Sequence, residues 1–138
     1  MATLNPYLFF EGRCGEAMRF YAECLGGELT IQTVGESAMA SSMPKEMQAS
    51  VMHAKLEAGS LRIMASDMLD GEKMVQGNAT NLILLCDSEE EIRTLYGKLS
   101  AGGKADSPVK KEFWGAFYGD LTDKFGVRWM LNFDEPQA

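Results

Sequence analysis

The sequence predicts an α+β fold made of two βαβββ modules, and three observations lead there. Two distant stretches say nearly the same thing: RIMASD at 62–67 and RWMLNF at 128–133, each opening Arg, apolar, Met a few positions after a glycine (Gly59, Gly126). Two segments with helical spacing each end on a glycine pair, Gly26-Gly27 and Gly102-Gly103. Around each of these helices the strand-like stretches fall in one order, one before and three after. A repeat this long, present only twice, is a pair of modules rather than a solenoid.

The elements follow in order. Residues 4–10, LNPYLFF, read as a strand with Pro6 near its start, where a missing N–H is tolerated. GRCGEAMRFYAECLGG (12–27) places Ala17, Phe20, Tyr21, Cys24 and Leu25 on one helical face and stops at glycine. ELTIQTV (28–34) is rich in β-branched residues. GESAMASSMPKEMQ (35–48) is small, polar and dotted with methionine: a long loop or a short helical excursion. SVMHAKLEA (50–58) and LRIMASD (61–67) form a hairpin across Gly59-Ser60. In the second half NLILLCD (81–87) is a strand. The next helix opens with Ser88 and Glu91 as a capping box and carries Ile92, Leu95, Tyr96 and Leu99 as its stripe. KADSPVKKEF, GAFYGDL and VRWMLNF complete the module, the last two joined through TDKFG. The polar, Gly- and Asn-containing stretch 68–80 links the halves, giving modules at 1–70 and 76–138 of a single domain.

The bulk composition narrows the function. A chain of 138 residues buries roughly 65–70% of its unfolded surface, enough for a core without disulfides. With a formal charge of −7 and no basic run longer than Lys110-Lys111, nucleic acid and anionic membrane surfaces are poor partners. The N-terminal MATLNPYLFF lacks a basic, then apolar, signal pattern, and no apolar run is long enough to cross a bilayer. Cys14, Cys24 and Cys86 are odd in number and without CxxC spacing, which speaks against a disulfide framework or a zinc site. A soluble, cytoplasmic protein is the expectation.

Three stretches carry a family resemblance: NPYLFFEGRCGEAMRFYAECLGGEL, HAKLEAGSLRIMASD and FWGAFYGDLTDKFGVRWMLNF. They resemble the PhnB-like branch of the vicinal oxygen chelate superfamily, which includes glyoxalase I, bleomycin-resistance proteins and extradiol dioxygenases. The branch is sometimes labelled 3-demethylubiquinone methyltransferase-like. The resemblance implies curved mixed sheets around a cavity shared by the modules, and a homodimer. In metal-using members four inward side chains, from the first and last strand of each module, hold a divalent ion. Aligned on that pattern, the slots fall on Asn5, Met64, Asn81 and Met130. Amide and thioether groups there are poor ligands for Zn²⁺, Ni²⁺ or Mg²⁺, so no metal and no other cofactor is expected.

The leading expectation is therefore a small-organic-molecule-binding protein with its reaction unassigned. Ligand-contacting candidates are Asn5, Tyr7, Met64, Asn81, Trp114, Tyr118 and Met130. His53, the only histidine, lies mid-strand in VMHAKL, on one face with Val51 and Lys55 by alternation. An imidazole titrates near neutrality and suits a general base; the plain alternative is a packed strand histidine. Cys14 at a helix start is a candidate nucleophile, because the macrodipole favours a thiolate there; the alternative is a small residue at a helix start. Trp114, Phe117, Tyr118 and Trp129 supply either aromatic cavity walls or ordinary core. Asp67, Asp120 and Asp123 serve either acid–base chemistry or turn capping. Met39, Met43 and Met47 make the 35–48 segment either a pocket lid or a loop docked on the core or on a second subunit, as a dimer contact. Two rival functions stay open. One is a metal-dependent lyase or isomerase, dioxygenase or thiol transferase using His53 with carboxylates such as Asp67. The other is an antibiotic- or toxin-sequestering resistance protein.

Overall fold

The computed structural model describes residues 1–71 and 73–136. The chain divides into two compact units, Met1–Val75 and Gln76–Ala138. The first contains β1 (Tyr7–Phe10), α1 (Cys14–Leu25), β2 (Glu28–Thr33), β3 (Val51–Ala58) and β4 (Leu61–Asp67). The second contains β5 (Leu82–Leu85), α2 (Glu89–Ser100), β6 (Lys104–Lys111), β7 (Ala116–Thr122) and β8 (Arg128–Asp134). Each unit is one βαβββ module with a four-stranded mixed sheet, ordered β1-β4-β3-β2 and β5-β8-β7-β6. The first strand runs parallel to the last, and the other pairs are antiparallel. RIM and RWM begin β4 and β8, the inner strands beside β1 and β5.

Each helix covers one face of its own sheet. On α1 the buried stripe is Cys14, Ala17, Met18, Tyr21 and Cys24. Met18 and Cys14 are fully buried, while Phe20 and Leu25, expected on that stripe, are only half-buried. The stripe packs on Ala54, Leu56, Ile63 and Ala65, all buried. On α2 the stripe is Ile92, Tyr96 and Leu99, against buried Leu121, Trp129 and Leu131. Burying each large apolar side chain contributes roughly 1.5–3 kcal/mol, so these two small cores account for most of the favourable free energy.

The repeated glycine pair has a physical reason. A Cβ on Gly27 would fall inside contact distance of the Glu57 carbonyl, and one on Gly103 would collide likewise with the Thr122 carbonyl. The second glycine of each pair lets the helix exit pass directly over the module's own third strand.

Several local expectations are corrected. Ser88 Oγ accepts from the Glu91 amide (3.0 Å), but Glu91 Oε1 accepts from the amide of Asp87 (2.8 Å) rather than that of Ser88, so the reciprocal half of the box is displaced by one residue. A complete box occurs elsewhere, between Thr33 and Glu36. Val51 does not share the face of His53. Gln32 pairs with His53 and Thr33 with Val51, so Met52 is an extra residue in β3, and this bulge turns Val51 towards Gly15 of α1. The 35–48 segment holds three single 3-10 turns. Its braces are the Gln48 side-chain amide, donating to the carbonyls of Ala40 (2.8 Å) and Met43 (3.2 Å), and the Gly35 amide donating to the Gln48 carbonyl (2.9 Å).

Candidate functional site

Strand alternation sends every second residue to the face opposite the helix. In the first module that face carries Tyr7 and Phe9 from β1, Met64 and Ser66 from β4, and His53 and Lys55 from β3. Register places Tyr7 beside Met64, Phe9 beside Ser66 and Lys55 beside Met64. The Tyr7 hydroxyl lies 3.3 Å from His53 Nδ1, with the two rings 5.9 Å apart. Phe9 continues the aromatic row, 5.2 Å from Tyr7. Three of the residues singled out in the sequence, Tyr7, His53 and Met64, are thus brought together. Asn5 precedes β1 and binds Thr3 through its side-chain amide (3.2 Å).

In the second module the corresponding face carries Met130 and Asn132 from β8, Ile83 and Leu85 from β5, and Tyr118 and Asp120 from β7. Met130 pairs with Ile83 on one side and Asp120 on the other, matching Met64 between Tyr7 and Lys55. By the same register His53 and Tyr118 hold equivalent places. The Tyr118 hydroxyl donates to Asp120 Oδ2 (2.9 Å). Burial first, and then that bond, push the phenol up to about 12, because ionising it would strand a second negative charge beside the carboxylate. Trp114 sits in the turn between β6 and β7, edge-on to Phe113 at 4.9 Å and more than half exposed. Phe117 and Trp129 are buried core, with Trp129 Nε1 donating to Asp123 Oδ2 (2.9 Å).

Two of the candidate carboxylates are structural. Asp67 is buried and accepts from the amides of Cys14 (3.0 Å) and Val51 (2.9 Å), joining the start of α1 to the start of β3. Asp123 is buried and orders the β7–β8 turn by accepting from the amides of Phe125 (2.8 Å) and Val127 (3.0 Å). Cys14 is not an activated nucleophile. Burial, and then the Asp67 charge, push its thiol up to about 12, and the helix N-terminus spends its positive end on Asp67. Cys86 is likewise raised to about 11, by burial, then Glu91 and Asp87. Cys24 is buried in the α1 stripe.

The positions that the resemblance assigns to a metal, Asn5, Met64, Asn81 and Met130, do not suit one. Met64 and Met130 offer soft thioethers. The oxygen of Asn81 accepts from Arg128 Nε (3.3 Å), so a guanidinium already occupies the donor that a cation would need. Among the described residues, no group of three or more His, Cys, Asp or Glu is placed to hold a metal ion.

Two residues that the sequence does not single out are Phe9 and Ser66. Both line a cleft of about 320 Å³ at the end of the first module's sheet, with Asp67, Met68, Leu69 and Asp70. The parity of Ser66 with Met64 was the available signal, hidden because serine ending a strand usually means only a turn.

Residues 2–132 match the family model described as 3-demethylubiquinone-9 3-methyltransferase. The chain belongs to this PhnB-like family. It is 36% identical to Protein YjdN of Escherichia coli (strain K12), over 94% of this chain and 93% of that one. The crystal structure of protein PA1353 from Pseudomonas aeruginosa superposes with a TM-score of 0.88 at 34% identity, covering 99% of this chain and 100% of the other. A Bacillus cereus PhnB protein, described as a putative 3-demethylubiquinone-9 3-methyltransferase, gives 0.76 at 26% identity, covering 96% and 99%. At the level of fold alone, a glyoxalase-related enzyme from Fulvimarina pelagi matches with 0.66 at 15% identity, covering 97% and 89%. The fold is shared with solved structures described as glyoxalase/bleomycin resistance proteins.

Proposed function

We propose that the protein binds a small organic molecule without an essential metal ion, as a cytoplasmic homodimer. The observation that supports this most directly is the Tyr7–His53 pair beside Met64. Where a metal-using relative places a hard anionic ligand, this chain places a thioether, and polar recognition passes to a phenol and an imidazole. A carboxylate kept in a metal-free slot would be desolvated at a cost of several kcal/mol, or would take up a proton. Methionine avoids that cost and adapts to an apolar ligand. Tyr7 donating to His53 Nδ1 leaves an Nε2–H donor for the ligand; His53 would act as a general base through Nε2 only in the opposite tautomer, with Nδ1–H donating to the Tyr7 oxygen. Met130, Tyr118, Asn81 and Trp114 are the second module's ligand-contacting candidates, and Asn5 the remaining one in the first. Methyl transfer is not part of this reading, because the β1–α1 turn, Glu11-Gly12-Arg13, carries one glycine and no glycine-rich cradle for a nucleoside cofactor.

The test combines three measurements on purified protein. Metal analysis should find far less than one Zn²⁺, Ni²⁺, Mn²⁺ or Fe²⁺ per chain, with the melting temperature unmoved by EDTA. Sedimentation should show a species of twice 15.2 kDa. Native mass spectrometry against a metabolite library should reveal a ligand that shifts the His53 ring resonances. Stoichiometric metal that survives dialysis and supports stability would replace this reading with a metalloenzyme.

A further inference from the structure

Beside the Tyr7–His53 pair, the cleft at the end of β1 and β4 has the features of a subsite for a particular kind of ligand. Its volume, about 320 Å³, lies at the bottom of the range of roughly 300–1,000 Å³ typical of small-molecule sites, room for one ring but not a fused polycycle. Phe9, half exposed, supplies an aromatic wall, and Met68 and Leu69 supply adaptable apolar ones. Ser66 is 5% exposed as a residue; among the described residues its hydroxyl makes no hydrogen bond, and since no side-chain polar atom there is both buried and unpaired, the hydroxyl opens onto the cleft. A hydroxyl that opens onto a cleft and is used by no protein group is free to donate to or accept from a ligand there. The charge of the lining is one-sided. Among the described residues it contains Asp67 and Asp70 and no Lys, Arg or His.

We infer that this cleft binds a single-ring aromatic molecule whose polar substituent is neutral or cationic, the ring against Phe9 and the substituent on the Ser66 hydroxyl. The inference rests on the small-molecule reading above and narrows it. Asp67 and Asp70 disfavour an anion, whereas a neutral amide can both donate to and accept from a serine hydroxyl, and an amidinium is drawn towards the carboxylates and the face of Phe9.

Benzamide, benzamidine and benzoate share one ring and differ in charge, so titrating each into the full chain with ¹³C-methyl-methionine labelling separates the contributions. The Met68 methyl should shift with benzamide and benzamidine, with benzoate at least about tenfold weaker. Ser66→Ala should weaken benzamide about fivefold, the loss expected of one neutral hydrogen bond, at an unchanged melting temperature. Phe9→Ala should weaken it further. Benzoate binding as tightly as benzamide would overturn the inference, and so would Ser66→Ala without effect. A shift at Met64 with none at Met68 would sink the cleft but leave the Tyr7–His53 reading standing. If neither methyl moved with any of the three, the cleft inference would fail alone, because the library screen tests the broader reading separately.

Discussion

Helices α1 and α2 occupy equivalent places in their modules, yet their first turns are held by unlike means. Arg13 at the start of α1 makes no side-chain cap; the Cys14 amide is bound instead by Asp67, from the end of β4. At α2 the cap is local: Ser88 Oγ takes the Glu91 amide, and Glu89, Glu90 and Glu91 add negative charge to the first turn. The same division runs through the faces opposite the helices. Tyr7, His53 and Lys55 in the first module answer to Ile83, Tyr118 and Asp120 in the second. The repeat therefore preserves backbone register while the side chains diverge, one module keeping a basic and polar face and the other an acidic and apolar one. The first turn of α1 thus depends on a long-range contact, and that of α2 on neighbours in sequence.

That contrast is tested most severely by removing each cap. Asp67→Ala leaves the buried amides of Cys14 and Val51 without an acceptor and cuts the tie between α1 and β3. The expected loss is about 3 kcal/mol, since hydrogen bonds to a charged group each contribute roughly 1.5–3 kcal/mol and buried orphan donors are costly. Ser88→Ala should cost about 1 kcal/mol, as a surface cap does. Urea denaturation with circular dichroism compares the two, and equal losses would mean that the Asp67 bridge is no more than an ordinary cap.

How much of this was legible in the sequence depends on distance along the chain. Helical stripes, glycine stops and the order of strands are local signals, and RIM and RWM lie where the repeat placed them, at β4 and β8. Tyr7, His53 and Met64 were singled out separately, and only register could show that they meet. The roles of Asp67, which spans from residue 67 to residues 14 and 51, and of the Met52 bulge depend on partners far away in sequence. Sequence spacing gave Cys14 the helix dipole but could not show that a carboxylate already uses it. Beyond its parity with Met64, Ser66 has no distinguishing mark in the sequence, because the cleft beside it exists only in three dimensions.

A smaller effect separates the modules at alkaline pH. Cys14 rises from an ordinary 9.0 to about 12, and Cys86 from 9.0 to about 11. Above pH 9 the unfolded chain releases these protons while the folded chain retains them. Thiol burial therefore stabilises the protein fully below pH 9, and that contribution is lost as pH rises through about 11 and 12. Cys14→Ala should flatten the fall in urea midpoint above pH 9 more than Cys86→Ala does, since Cys14 carries the larger shift. Iodoacetamide at pH 8 should leave native Cys14 unmodified. Fast alkylation there would show a thiolate at the start of α1 and reopen it as a nucleophile.

The smallest effect concerns the paired phenols. Tyr7 and Tyr118 each place a hydroxyl on the face opposite the helix, but Tyr7 meets an imidazole and Tyr118 a carboxylate. A phenol that donates to Nδ1 leaves the ring proton of neutral His53 on Nε2, so Tyr7 sets the tautomer as well as the orientation. Because Tyr7 is substantially exposed, Tyr7→Phe should change stability by no more than about 0.5 kcal/mol. Its mark should appear instead in the ¹⁵N spectrum of His53, where the preference for the Nε2–H form should weaken. Tyr118→Phe, by contrast, should leave His53 untouched and remove from the alkaline absorbance change the phenol that burial, and then the Asp120 bond, push up to about 12. A His53 spectrum identical in wild type and Tyr7→Phe would mean that the hydroxyl does not hold the ring in solution. The first module's face would then be no better organised for chemistry than the second's, and His53 would revert to an ordinary strand histidine.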